Sequence, residues 1–188
     1  MPTKKLSASD KEFLAFAKRF EKQVRNVPDF PKPGILFKDI TTVLKNKRLF
    51  AETVEQLAKQ YKGKKIDKIV SVESRGFIFG AALAYQLGAG FVPVRKPNKL
   101  PAETLREEYA LEYGTDALEI HTDAIKKGEK ILIHDDVLAT GGTAQATLKL
   151  IERLGGKVIG ACFLIELSFL NGREKLPNLD ILSLIKVS

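Results

Sequence analysis

The stretch that most constrains this chain is residues 131–147. Ile131, Leu132 and Ile133 form an apolar run that passes through His134 into two adjacent carboxylates, Asp135 and Asp136. Val137 and Leu138 then link to a small-residue turn. The turn opens a helix whose apolar positions Leu148, Ile151 and Leu154 recur at helical spacing. A strand, a loop and a helix N-terminus are thus predicted within 17 residues. Thr140, Gly141, Gly142 and Thr143 offer free backbone N–H groups, two hydroxyls and the positive end of a helix dipole, with no bulky side chain to keep an anion away. Asp135 and Asp136 carry too much negative charge to face the same anion, and suit sugar hydroxyls or a divalent ion a few ångströms further on. Such a loop suits a ribose 5-phosphate. It is not a nucleotide-binding loop of the Gly-x4-Gly-Lys kind, and the Gly-x-Gly-x-x-Gly fingerprint is missing as well.

The rest of the chain alternates helix and strand patterns. Ser9 to about Val24 reads as an amphipathic helix, capped by Ser9 or Ser7, with Phe13, Leu14, Phe16, Ala17, Phe20 and Val24 on one face. Residues 26–34 hold three prolines in nine positions and predict an extended lead into Ile35–Ile40. A helix is expected over 48–61, a buried strand over Ile66–Val72, a helix over 76–87 and a strand over Phe91–Arg95. The Lys-, Pro- and Asn-rich segment from Lys96 to about Thr104 predicts a mobile loop. Leu105–Tyr113 and Ala117–Ile120 flank Gly114, Thr115 and Asp116 as a hairpin. Beyond Gly155 and Gly156, Lys157–Leu167 and Ile181–Val187 read as strands, with a turn at 171–175. This order implies an α/β fold, a mostly parallel central sheet with helices on both faces.

Length, charge and cysteine usage narrow the class. The 188 residues suit a single domain with a sizeable core. The formal charge of +8 is spread over many segments, without an aromatic-interleaved basic stripe, so nucleic acid is disfavoured and a polyanionic small substrate is favoured. Cys162 is the one cysteine and lies in an apolar run, which predicts a buried, inert thiol, no internal disulfide and a reducing compartment. The Lys-rich N-terminus lacks an apolar core, so no signal peptide is expected. Gly76–Val94 holds 19 uncharged residues, but Gly80, Gln86, Gly88, Gly90 and Pro93 favour a helix, a break and a strand over a membrane span. A cytoplasmic protein is expected.

Ligands of parallel α/β sheets bind outside the carboxyl ends of the strands. Three such ends here carry reactive residues: Glu73-Ser74-Arg75-Gly76, Arg95-Lys96 with Lys99, and the Asp135-Asp136 loop. Beside a phosphate loop, Arg75 becomes a pyrophosphate ligand, because a guanidinium grips oxyanions in a fork. His134 is expected as a satisfied core histidine, since a strand alternates faces and Asp135 must point to the site. His121, at a hairpin end, is expected on the surface.

The apolar strand, Asp135-Asp136 and Ala139-Thr140-Gly141-Gly142-Thr143 together resemble the phosphoribosyl-pyrophosphate (PRPP) signature of the type I phosphoribosyltransferases. Further segments resemble the adenine-specific branch of that family: Phe30 to Ile40, Glu73 to Phe77, Val94 to Lys96 with Lys99, Leu100 and Pro101, Leu111 to Gly114, and Gly172 to Leu176. They run in family order from about residue 27 to the end. The resemblance implies the type I phosphoribosyltransferase fold with a small hood, built from residues of about 26–40 and part of the C-terminal segment, and a mobile loop over about 96–116. It implies purine salvage: transfer of a phosphoribosyl group from PRPP to adenine, giving AMP and pyrophosphate, with Mg²⁺ carried mainly by PRPP and pyrophosphate, in a homodimer.

Residue by residue, the resemblance puts the 5′-phosphate on Ala139, Thr140, Gly141, Gly142 and Thr143, and the ribose hydroxyls on Asp135 and Asp136. It assigns pyrophosphate to Ser74, Arg75, Arg95 and Lys99, the last two with the subunit of origin open. Leu36, Phe37 and Lys38 match the adenine-binding stretch, with Phe37, Val137 and Leu167 as walls around the base. Glu112 matches the mobile-loop acid that helps at the purine. Lys38 stands where relatives often have Arg, which leaves its side-chain role open. Two alternatives remain at this point: a PRPP-binding regulator on the same fold, and an enzyme for another base such as xanthine or orotate.

Overall fold

The alternation of apolar runs and helical segments is realised as one parallel sheet and two small antiparallel ladders. A computed structural model describes residues 7–110 and 115–188, which pack as two units, one ending at Gln60 and the other running from Tyr61 to Ser188.

The first unit begins with α1 (Ala8–Gln23). Ser7 closes a capping box with Asp10, accepting from the Asp10 N–H at 3.1 Å while the Asp10 carboxylate accepts from the Ser7 N–H at 2.9 Å. β1 (Arg25–Val27) pairs antiparallel with β2 (Phe37–Asp39), followed by α2 (Thr41–Leu44) and α3 (Lys47–Gln60). The proline segment differs from the extended lead predicted for it: the Phe30 N–H bonds back to the Ile35 carbonyl, and Gly34 N–H donates to Asp29 Oδ1 at 2.7 Å. Within Ile35–Ile40, strand pairing runs only from Phe37 to Asp39. The Glu12 carboxylate joins α1 to α3 by accepting from Gln56 and Lys59.

The second unit holds the five-stranded sheet, in the order β4 (Gly90–Val94), β3 (Lys68–Val72), β7 (Lys130–Leu138), β8 (Lys157–Leu167), β9 (Ile181–Val187), all parallel. α4 (Gly76–Leu87) joins β3 to β4, and α5 (Gly142–Arg153) joins β7 to β8. Val70, Ile131, Ile133, Leu150, Ile151 and Phe163 form part of one buried cluster, each burial contributing roughly 1.5–3 kcal/mol. α5 therefore centres its apolar stripe on Leu150 and Ile151, with the predicted Leu148 and Leu154 half-buried at its margins.

The hairpin is built from β5 (Thr104–Ala110) and β6 (Thr115–His121), with Glu107 on β5 paired to Lys149 and Arg153 of α5. Residues 111–114, and with them Glu112, lie outside the described residues. His121 is half-buried rather than on the surface, its Nε2 accepting from the Ala102 N–H at 3.4 Å. Among the described residues no helix is long and apolar enough to cross a membrane.

Strand order places the site. From β3 the chain moves outward to β4, then returns to the other side of β3 as β7. The order of connection reverses between β3 and β7, and a crevice opens where their following loops diverge.

Candidate active site

β3 stays paired with β7 only as far as Ser71 opposite His134, whereas β7 remains paired with β8 out to Leu138 opposite Glu166. The tip of β7 therefore stands beyond β3. Asp135, Asp136 and Val137 have β8 on one side and the turn at Glu73–Gly76 on the other. Gly76 is required there: a Cβ on it would lie 2.6 Å from Asp135 Oδ1. The Glu73–Ser74 peptide is cis.

The two carboxylates differ. Asp136 is buried and forms an ion pair with the half-buried Arg75, whose Nε donates to Oδ2 at 2.5 Å. Asp135 accepts from the Asp136 N–H at 2.9 Å, and burial together with the adjacent Asp136 carboxylate pushes its pKa well above the usual carboxylate range. The guanidinium expected on pyrophosphate, after β3, thus meets a carboxylate expected on ribose, at the tip of β7. Ser74 is exposed beside them.

Beyond Leu138 the chain lines a small recess with Val137 to Ala144. Gly141 has φ +78°, in the left-handed region, and no side chain caps α5. The first N–H groups of that helix have no partner within it, and the helix dipole adds positive potential there. Thr143 Oγ1 reaches the Tyr109 hydroxyl of the hairpin at 3.5 Å, and Thr147 Oγ1 donates to the Thr143 carbonyl at 2.9 Å.

Arg95 follows β4. Its guanidinium donates to the Glu73 carboxylate from Nε at 2.8 Å and to the Lys99 carbonyl at 3.1 Å, while the Lys96 N–H donates to Glu73 Oε1 at 2.7 Å. Burial opposes ionisation of Glu73, but the Lys96 N–H and the Arg95 guanidinium hold its pKa below the ordinary value. Lys96 itself pairs with Asp116 and approaches the Tyr109 hydroxyl. Lys99 is exposed.

The structure therefore brings Ser74, Arg75, Asp135, Asp136 and the 139–143 loop to one crevice of the second unit, with Val137 half-buried in the recess and Leu167 half-buried at the end of β8. Leu36, Phe37 and Lys38 lie in the first unit. Phe37 stacks edge-on against Phe30 with centroids 5.1 Å apart, and Lys38 Nζ donates to Asn26 Oδ1 at 2.8 Å, the cross-strand partner of its own residue. His134 is buried as expected but not satisfied: neither ring nitrogen has a partner in hydrogen-bonding geometry, and Ser71 Oγ, its cross-strand neighbour, has none either. Burial lowers the pKa of His134 to about 4, so the ring is neutral. Cys162 is buried and its thiol pushed up to about 12, an inert group.

Glu73 and Arg173 lie in segments that carry the family resemblance, with no role assigned to either residue, and here they form ion pairs with Arg95 and Glu166. Tyr109 and Glu166 were not singled out, since nothing local distinguishes them from ordinary strand residues.

A model of the phosphoribosyl transferase domain matches residues 40–182. Adenine phosphoribosyltransferase of Acidobacterium capsulatum is 61% identical over 165 residues, covering 88% of this chain and 91% of the relative. The enzyme of the same name from Geobacter metallireducens is 62% identical over 162 residues, 86% of this chain and 95% of its own. Among solved structures, adenine phosphoribosyltransferase from Thermoanaerobacter pseudethanolicus superposes with a TM-score of 0.89 at 58% identity, covering 91% of this chain and 99% of that one. The Saccharomyces cerevisiae enzyme, solved with an imino-altritol bisphosphate and adenine, superposes with a TM-score of 0.86 at 42% identity, covering 91% and 99%. The strand-end crevice and these likenesses agree: the chain belongs to the phosphoribosyltransferase family and, within it, to the adenine phosphoribosyltransferases.

Proposed function

We propose that this pentosyltransferase takes PRPP as donor and adenine as acceptor, releasing pyrophosphate and AMP. The observation that carries the site assignment is the uncapped start of α5 behind a left-handed Gly141, next to the Asp135–Asp136 pair. Backbone N–H groups from Ala139 to Thr143 hold the 5′-phosphate, and Asp135 and Asp136 face the ribose hydroxyls. Departure of pyrophosphate from C1′ builds positive charge on the ribose ring. Burial and the adjacent Asp136 carboxylate raise the pKa of Asp135, and positive charge developing on the ring favours its charged form. Ser74, Arg75, Arg95 and Lys99 receive the departing polyanion, and N9 of the purine attacks from the opposite side.

Mg²⁺ fits this donor set as a substrate-borne ion. Mg²⁺ characteristically uses one or two carboxylates with phosphate oxygens and water. Asp135 and Asp136 are the carboxylates that would face it. When bound, the ion neutralises charge on the leaving pyrophosphate.

Leu36, Phe37, Lys38, Val137 and Leu167 are proposed as base contacts. Because the Lys38 ammonium is engaged with Asn26, recognition there falls to backbone groups and the Phe37 ring. Glu112, outside the described residues, is proposed as the acid that handles a proton at the purine. A homodimer is supported by α4: its 12 residues carry no charge, yet Ile78 is 39% and Tyr85 88% exposed.

The test is AMP formation from adenine, PRPP and Mg²⁺, with guanine, hypoxanthine and orotate as controls. Adenine presents an amino donor and an N1 acceptor where 6-oxopurines present the reverse, so each mismatch leaves buried groups unpaired at about 1–3 kcal/mol. Conversion of guanine or hypoxanthine within about tenfold of adenine in kcat/KM, a gap of about 1.4 kcal/mol, refutes the choice of base.

A further inference from the structure

Beside the contact of Thr143 with Tyr109, the phosphate loop meets the backbone of the short 3₁₀ turn Gly172–Lys175, which follows β8 after a first such turn at Ser168–Leu170. A Cβ on Gly172 would lie 2.2 Å from the Ala139 carbonyl oxygen and 3.0 Å from the Gly141 nitrogen. A Cβ on Gly141 would lie 2.3 Å from the Gly172 carbonyl oxygen. Main chain therefore packs on main chain with no side chain between, and the position of the turn sets the position of the loop.

The turn in turn is fixed by one residue. The Arg173 guanidinium grips Glu166 with both arms, Nε to Oε1 at 2.6 Å and NH2 to Oε2 at 2.7 Å, and also reaches the Ile181 carbonyl at 3.2 Å and Ser183 Oγ at 3.4 Å. Ser183 Oγ completes the arrangement by donating to Glu166 Oε2 at 2.6 Å. Glu166 is 5% exposed and stands on β8 directly opposite Leu138, the residue from which the loop departs. A planar two-armed contact fixes orientation as well as distance, which a point charge does not.

We propose that Glu166, Arg173 and Ser183 form a brace that holds the Gly172 turn against Ala139–Gly141, and that Arg173 is thereby a positioning residue for the phosphate of PRPP and AMP. The inference rests on the reading of 139–143 as the phosphate cradle and adds what shapes it. Arg173 is joined to the loop through its neighbour Gly172, which packs on Ala139 and Gly141, and it belongs to none of the expected substrate contacts. Arg75 and Arg95, the expected pyrophosphate ligands, are held by other partners, Asp136 and Glu73. Loosening the brace should therefore affect one ligand and spare the other.

The experiment measures calorimetric affinities of wild type, Arg173→Gln, Arg173→Lys and Ser183→Ala for AMP and for Mg²⁺-pyrophosphate, with melting temperatures alongside. Arg173→Gln is expected to weaken AMP at least tenfold while pyrophosphate stays within about twofold, and Arg173→Lys, which keeps the charge but not the fork, to weaken AMP nearly as much. Ser183→Ala, the mildest change, is expected to weaken AMP two- to fivefold and secures the test if Arg173→Gln does not fold. Equal losses for both ligands, wild-type AMP affinity in Arg173→Lys, or unchanged AMP affinity in Ser183→Ala would each overturn the brace. Wild-type protein that fails to bind AMP overturns the cradle reading itself, and is thus told apart from failure of the brace alone.

Discussion

Asp136 and Arg75 share one contact, so each can be altered to ask what the other does. Asp136→Asn removes a charge-assisted bond worth roughly 1.5–3 kcal/mol and should lower kcat/KM for PRPP by about one to two orders of magnitude, with the fold retained. Arg75→Ala should weaken pyrophosphate more than AMP, because Arg75 follows β3 and the phosphate loop follows β7; equal losses in calorimetric titration would contradict that division. His134 offers a test of stability rather than activity. Its folded pKa lies near 4 against an ordinary 6.5, so as pH falls from 6.5 towards 4 the unfolded ring gains a proton that the folded ring refuses. Stability contributed by the neutral ring is present above 6.5 and lost through that window. His134→Leu, which also removes two unpaired buried nitrogens, should therefore gain on wild type by roughly 2 kcal/mol more at pH 4.5 than at pH 7.5 in urea unfolding. Identical pH dependence of the two proteins would mean that the ring titrates normally.

At the scale of elements, the Gly76 turn is the narrowest point of the crevice. Gly76→Ala forces a methyl to within 2.6 Å of the Asp135 carboxylate and must displace either the start of α4 or the tip of β7. Activity should fall by about tenfold or more while the melting temperature drops by only a few degrees, a loss of roughly 1–3 kcal/mol spread over two element ends; near-wild-type kcat would show that the turn yields freely. The elements themselves were legible because each has its own period: apolar runs such as Ile131–Ile133 for buried parallel strands, and spaced apolar residues for α1 and α5. The 139–143 loop was legible as a strand-to-helix junction, whereas its reading as a phosphate cradle rests on the resemblance of the whole stretch from Asp135 to Thr143 to the family signature. What escaped notice depends on partners far along the chain. Glu166 looks like any polar residue at the end of an apolar strand until Arg173 and Ser183 are seen on it, and the buried His134 was expected to find a partner that the close fit of the sheet does not supply. The lead into β2 differs from expectation because Phe30–Ile35, with two prolines and Gly34, closes a turn where an extended segment was expected.

For the whole molecule, the uncharged α4 face predicts association. Tyr85→Glu places a charge at a position 88% exposed in the chain, where it costs a lone monomer almost nothing. In a dimer built on this face the same charge is desolvated, so sedimentation should show a shift to monomer at micromolar concentration, with the circular dichroism unchanged; an unaltered mass would exclude this face from the interface. The overhang of β7 beyond β3 has a consequence in the time domain. Backbone groups at the β7 tip are laddered by β8 on one flank only, so local opening there requires far less than global unfolding. In deuterium-exchange mass spectrometry, peptides spanning 135–143 should label early in the free protein while 131–133 stays dark, and AMP should slow the first without touching the second. Binding energy would then be drawn on to still the tip of a strand, and the strand's own centre would keep the clock against which that stillness is read.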